Sequence, residues 1–203
     1  MIPFAQKIRL YLFASLCVLA LVACQNKPIP FHGADINGVT YGKNWLLTDQ
    51  SGQPRQAKDY KGHLQLIYFG FTQCPDICPA TLQRMQAALD LVPPETLAKQ
   101  PIDILFITVD PETDTVEVLK NYLKPFGSHV IGLTGSQAEV DAAAKDFKVY
   151  VQQSSKNSKM FEHSGFIYLM DKEGRARLMY APETSAKDIA EDLGYIVAAA
   201  GTW

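Results

Sequence analysis

The chain has 203 residues, of which 47% are hydrophobic, and its formal net charge is −2. This length suits one domain with a full hydrophobic core, which needs no disulfide or metal to hold it together. The near-neutral charge provides no basic surface of the kind that binds nucleic acids, so we expect no nucleic-acid partner.

The first 23 residues have the pattern of a secretory signal. Lys7 and Arg9 form a short basic region, and residues 10–23 are an uncharged apolar run of 14 residues. Such a run is short for a membrane span and is typical of a signal peptide. It ends in Leu21-Val22-Ala23-Cys24, which resembles the cleavage box of bacterial lipoproteins. In those proteins the cysteine carries lipid and becomes the first residue of the mature chain.

We therefore predict that residues 1–23 are removed and that Cys24 is lipidated. An uncleaved anchor helix is the alternative, and either arrangement tethers the protein to a membrane. Residues 24–32, which include Pro28 and Pro30, are predicted to form the tether, and the folded domain is expected over 33–203. The predicted location is the bacterial cell envelope, facing the periplasm or the cell exterior.

A β-rich lead-in is expected at about 40–62, before a strand at 63–71 that is nearly continuous in apolar residues. Such a run is typical of a central parallel strand that is buried on both faces. The other predicted elements are helices at about 79–91, 114–123, 136–147 and 185–200, and strands at about 102–109, 129–133, 149–151, 166–170 and 176–180. This order predicts an α/β fold, a thioredoxin-like mixed sheet with helices on both faces.

Two cysteines, Cys74 and Cys78, lie where the first central strand gives way to a helix. We place Pro79 at the first helical position and Cys78 at the N-cap, where its thiolate would face the positive end of the helix dipole. If the loop at Cys74 curls by one turn, the two Cβ atoms come within about 5–6 Å. Both sulfurs could then form a disulfide or bind one metal ion. Two buried structural cysteines are the alternative, which the flanking prolines and Asp76 disfavour.

A histidine is the natural third ligand, and the chain has four: His32, His63, His129 and His163. Three of them, including His163, lie at the start of a predicted strand, so spacing cannot choose among them. Asp110 ends the strand beside the cysteine strand, so it could lie near the site or serve only in a turn. Met160 could offer a thioether close to His163, or could be an ordinary loop or core methionine.

Three segments resemble the Sco/SenC family of copper-binding proteins: residues 71–79, 109–115 and 162–171. That family comprises membrane-tethered thioredoxin-like domains that serve cytochrome c oxidase assembly, mainly its CuA centre. The resemblance implies that Cys74, Cys78 and His163 are copper ligands. This chain has Glu162 where many members have aspartate before the histidine.

The resemblance predicts a copper metallochaperone rather than an enzyme, binding Cu(I) and Cu(II). Its partner is expected to be the copper-binding subunit of the oxidase or another periplasmic copper protein, and Asp76 and Asp110 could lie beside the ligands. The alternative is a thiol-disulfide oxidoreductase with a redox-active Cys74–Cys78 disulfide. Against it, three residues separate the cysteines instead of two, and no proline lies between Pro125 and Pro182, where such enzymes place one.

Overall fold

The computed structural model describes residues 31–155 and 160–198. The predicted signal peptide, the lipidation site at Cys24 and most of the predicted tether lie outside the described residues. Within the described ranges, no helix is both long enough and apolar enough to cross a membrane.

The described part of the chain contains ten strands and five α-helices. The strands are β1 (Ala34–Asp35), β2 (Leu46–Asp49), β3 (Pro54–Gln56), β4 (Leu64–Gly70), β5 (Ile102–Thr108), β6 (Val130–Thr134), β7 (Val151–Gln153), β8 (Phe161–His163), β9 (Ile167–Met170) and β10 (Ala176–Tyr180). The helices are α1 (Ile77–Leu91), α2 (Pro94–Lys99), α3 (Val116–Leu123), α4 (Gln137–Asp146) and α5 (Ala186–Ala198). Short 3₁₀ turns occupy Ala57–Tyr60 and Lys124–Phe126.

Eight strands form one mixed sheet in the order β1-β10-β9-β4-β5-β6-β2-β3. The central strands β4, β5 and β6 are parallel because helical crossovers connect them, whereas β9 and β10 form an antiparallel hairpin. Strand β9 pairs antiparallel with β4, so the hairpin extends the sheet on the side away from β5. The predicted α/β class and mixed sheet are confirmed, and the β-rich lead-in is the β2–β3 hairpin at one edge.

The core lies around β4 and β5. All seven residues of β4 are buried, and β5 has one residue that is only partly buried. Aromatic rings fill the space beside these strands: Phe69 contacts Phe147 at a centroid distance of 5.4 Å, and Tyr68 contacts Phe106 at 6.2 Å. Such close packing fixes the carboxyl end of β4, from which the cysteine loop emerges.

Three local features differ from the sequence prediction. Helix α2 was not expected, but Pro94 suits its first position because the N–H that proline lacks has no partner there. Helix α3 begins at Val116, later than the predicted start at about 114, and is capped by Thr115, whose hydroxyl accepts the Val118 N–H. Strands β7 and β8 pair in a separate two-stranded ribbon, where only a brief strand at about 149–151 was expected.

Candidate metal centre

The cysteine loop begins where β4 ends at Gly70, and α1 begins at Ile77. The N-cap is Asp76, so Cys78 is the second helical residue rather than the predicted N-cap. Pro79 still fits because the first backbone N–H groups of a helix have no partner within it. The helix therefore starts two residues earlier than proline spacing suggested.

The two sulfurs occupy unequal surroundings. The Cys78 N–H, free because it lies in the first turn of α1, donates to Cys74 Sγ at 3.4 Å. The predicted interaction with the helix terminus is thus made by Cys74, and the assignment to Cys78 was wrong. Cys74 is partly exposed, whereas Cys78 is completely buried, and both are free thiols.

Cys78 lies against Tyr68, whose hydroxyl donates to Cys78 Sγ at 3.6 Å. Burial raises the pKa of the Cys78 thiol to about 12, and hydrogen bonds with the Phe71 backbone and the Tyr68 hydroxyl offset this only in part. At neutral pH Cys78 is therefore a protonated thiol. A metal ion that binds its sulfur must displace this proton.

His163 ends β8, and its Nε2 lies 3.9 Å from Cys78 Sγ. Its Nδ1 is 3.2 Å from the Ser164 carbonyl oxygen, which can only accept a hydrogen bond. The proton is therefore assigned to Nδ1, which leaves a lone pair on Nε2 directed at the sulfur. Burial lowers the pKa of His163, so the imidazole is neutral and ready to bind a metal at neutral pH.

Aromatic rings fix the orientation of this imidazole. Tyr68 and Phe71 meet it edge to face at centroid distances of 5.9 and 6.1 Å. Phe71 also contacts Phe161, two residues before His163, at 5.5 Å. The ribbon formed by β7 and β8 thus places the histidine over the cysteine loop from 85 residues away in the sequence.

A cleft of about 460 Å³ opens beside these groups and is lined by Cys74, His163 and Met160 among other residues. The sulfurs of Cys74 and Cys78 and the His163 nitrogen do not all lie within 4.8 Å of one another. Cys78 and His163 are already in contact, so closing the set around one ion requires at least one of the three side chains to move, and both Cys74 and His163 are partly exposed. Side-chain rotation at a partly exposed position is a common adjustment on binding.

The other three histidines lie elsewhere. His63 pairs with Asp103 at 2.7 Å, and His129 with Gln86 at 3.0 Å. His32 lies with Asp188 and Glu191 in a surface group whose ligand atoms are within 4.8 Å of one another. Both ring nitrogens of His32 already face these carboxylates, so this group is a surface ion-pair cluster.

The two aspartates that were predicted beside the ligands have different positions. Asp76 lies on the cleft wall, is exposed and makes no side-chain cap to α1. Asp110 is buried in the turn after β5, where its carboxylate accepts the Thr113 N–H at 3.4 Å. Asp110 therefore serves the turn, one of the two roles that the sequence left open.

A third aspartate, Asp114, supports the cysteine loop and was not anticipated. It is completely buried and accepts hydrogen bonds from the Thr72 N–H at 3.0 Å and the Thr72 and Thr108 hydroxyls at 2.5 and 2.6 Å. Burial raises the pKa of its carboxyl group, and these three hydrogen bonds counteract the rise. The signal in the sequence was a threonine at the carboxyl end of each of two neighbouring buried strands.

A mixed sheet of this order, with a cysteine pair after the first parallel strand and a histidine above it, defines a thioredoxin-like domain with a candidate site for a soft metal. The sequence model of the SCO1/SenC family matches residues 34–198, so the chain belongs to the SCO1/SenC family. The predicted family and the thioredoxin-like fold are thereby confirmed.

Relatives and solved structures agree with this assignment. A SCO2-like protein of Rickettsia felis is 40% identical over 77% of this chain and 77% of its own length. Arabidopsis thaliana ScoI with copper bound has a TM-score of 0.70 and 30% identity, and covers 81% of this chain and all of its own. Yeast Sco1 with copper bound has a TM-score of 0.69 and 34% identity, and covers 81% of this chain and 91% of its own. The predicted metal, copper, is thus the one bound in these two structures.

Proposed function

We propose that this protein is a copper metallochaperone that carries copper on Cys74, Cys78 and His163. The observation that carries the proposal is the 3.9 Å contact between Cys78 Sγ and the His163 Nε2 lone pair, made across 85 residues of sequence. The copper-bound structures of related Sco proteins favour copper over zinc, which the same ligands could hold.

The ligand set suits both oxidation states of copper. Thiolates are soft ligands that favour Cu(I), and imidazole also suits Cu(II). Cys78 forms the inner part of the site because it is completely buried, and His163, which is partly buried, lies beside it on the cleft wall. Cys74 lies on the cleft wall and is partly exposed, so a partner's ligands can approach it first during transfer.

The proposed partner and location follow from the family resemblance. Copper would be delivered to the CuA-bearing subunit of cytochrome c oxidase, or to another periplasmic copper protein. A lipid on Cys24 would hold the domain at the membrane of the cell envelope, where two or more acyl chains give stable anchoring. Intact mass of the membrane-extracted protein tests this part, because a mass that retains residues 1–23 contradicts cleavage at Cys24.

The copper proposal is tested by two separate anaerobic titrations of the reduced full-length protein in detergent, one with Cu(I) and one with Cu(II). We expect one copper per chain and a thiolate-to-Cu(II) charge-transfer band. His163→Ala should lose most of the band while keeping more of its Cu(I) binding, because two soft sulfurs can still hold Cu(I). His129→Ala is the control and should behave as wild type. A full band in His163→Ala would remove His163 from the ligand set.

A thiol-disulfide oxidoreductase is the second candidate function. It is favoured by the two free thiols in one loop, linked by the hydrogen bond from the Cys78 N–H to Cys74 Sγ. Cys74 would attack the substrate disulfide because it is accessible, and Cys78 would then resolve the mixed disulfide. A wild-type protein that reduces disulfides catalytically and shows no charge-transfer band would establish this function instead.

A further inference from the structure

Met160 lines the cleft that also exposes Cys74 and His163, and we assign it to the cleft mouth because it is exposed to solvent. Its side chain is 42% exposed, unlike most methionines, which pack inside proteins. The backbone position is fixed, because the Met160 carbonyl oxygen accepts the Ser154 N–H at 2.8 Å beside the β7–β8 ribbon. The structure thus holds a thioether at the entrance to the proposed copper site.

The chemistry of the cleft distinguishes this residue from its neighbours. The walls include the apolar side chains of Phe71, Ile77 and Phe161, which offer no ligand atom. Asp76 and Glu162 also line the cleft, but carboxylates are hard ligands that suit Cu(I) poorly. Apart from Cys74 and His163, Met160 is therefore the lining residue with a donor atom that prefers Cu(I).

We infer that Met160 is a transient Cu(I) ligand that passes the ion between the cleft mouth and the inner site. The inference rests on the proposed function, since it requires copper on Cys74, Cys78 and His163. During transfer, one bond from copper to an inner ligand breaks as a bond to the Met160 sulfur forms. Copper remains Cu(I) throughout, and the neutral thioether takes up and releases no proton. The proton that Cys78 loses when copper binds its sulfur returns to that sulfur when copper leaves.

A transient ligand affects rates and leaves the equilibrium unchanged. By lowering the barrier at the cleft mouth, Met160 would speed loading and unloading of Cu(I) by the same factor. A permanent ligand would instead raise affinity by slowing release. An apolar docking contact would act through shape, which leucine shares with methionine. These three roles give different kinetic results.

The test uses reduced full-length protein and a chromophoric Cu(I) chelator in stopped-flow experiments, run in both directions. The variants are Met160→Leu, Met160→Ala and the matched control Met179→Leu on β10. We expect both leucine variants to fold as wild type. Met160→Leu should slow loading and unloading by a similar factor of about tenfold, with affinity within about twofold of wild type. The control should match wild type in both rates.

Three results would overturn the inference. Wild-type rates in both directions for Met160→Leu would show that the sulfur takes no part in transfer. Normal transfer by Met160→Leu with slow transfer by Met160→Ala would assign the residue to apolar docking. Weaker affinity with faster release would make it a permanent ligand. If wild type takes up no Cu(I), the proposed function itself fails, and that outcome is distinct from the other three.

Discussion

Replacing Asp114 with alanine should destabilise the protein and loosen the cysteine loop. The carboxylate is the acceptor for three donors, namely the Thr72 N–H and the hydroxyls of Thr72 and Thr108. An unpaired buried donor costs about 1–3 kcal/mol, although the two hydroxyls can rotate towards other acceptors. We therefore expect Asp114→Ala to lower the free energy of unfolding by about 2–4 kcal/mol. This is a large part of the free energy of unfolding of a typical folded domain, which is about 5–15 kcal/mol.

Asp114→Asn should cost much less, because asparagine keeps the shape of the side chain. Its carbonyl oxygen can accept the Thr72 N–H and the Thr108 hydroxyl, and its amide can donate to the Thr72 hydroxyl, which rotates to accept.

The pH dependence of the stability that Asp114 contributes has a definite sign. Burial raises the pKa of Asp114 in the folded protein, so its contribution to stability is present below its unfolded pKa and is lost as pH rises through the folded value. Asp114→Asn should therefore gain stability relative to wild type as pH rises through that range.

Urea unfolding of wild type, Asp114→Ala and Asp114→Asn, followed by circular dichroism at several pH values, measures these differences. Asp110→Ala is the matched control, because that carboxylate makes a single hydrogen bond of 3.4 Å to Thr113. Asp110→Ala should lower the free energy of unfolding by less than about 1.5 kcal/mol, the usual upper value for one hydrogen bond. If the free energy of unfolding of Asp114→Ala is within about 0.5 kcal/mol of the wild-type value, as it is for most surface substitutions, the carboxylate does not anchor the loop.

Three further outcomes are expected. Tyr68→Phe removes the donor to Cys78 Sγ while the ring stays packed, so Cu(I) affinity should fall by up to about tenfold in chelator competition, with little change in stability. Because burial raises the pKa of Cys78 to about 12, its proton leaves on binding, and Cu(I) affinity should rise at least about tenfold per pH unit near neutrality; an affinity independent of pH contradicts this. In Gly70→Ala the new Cβ would lie 2.8 Å from Phe106 and 3.0 Å from Cys78 Sγ, so thermal unfolding should show a loss of about 1–3 kcal/mol.

The sequence predicted the central elements because their signals are local. Strands β4 and β5 are nearly continuous apolar runs, and α4 begins with a capping box in which Ser136 and Glu139 bond reciprocally. The β7–β8 ribbon has no such signal. Two of the three residues of β7 are exposed glutamines, and the strand exists because it pairs with Phe161–His163. Cross-strand pairing of this kind depends on the tertiary fold and cannot be read from periodicity.

The candidate site was also predictable only in part. The cysteine pair is visible from composition and spacing, but nothing local separates His163 from His63 and His129. The fold makes that choice: His163 is placed against Cys78, whereas the other two contact Asp103 and Gln86. Asp114 was missed for a similar reason, because Thr72, which donates two of its three hydrogen bonds, lies 42 residues away in the loop after β4.

The difference between the two cysteines arises from one structural cause. A spacing of four places them about one helical turn apart, and the sequence predicted Cys78 at the N-cap with Cys74 in the loop before it, so that neither lay inside the helix. Because α1 begins at Ile77, Cys78 lies inside the first turn and faces the core, where Tyr68 and His163 contact its sulfur. Cys74 stays in the loop, and its Sγ accepts a hydrogen bond from the Cys78 N–H, which has no acceptor within the helix. Starting the helix two residues later would leave both sulfurs outside it, so the position of the helix start gives the site an inner and an outer thiol.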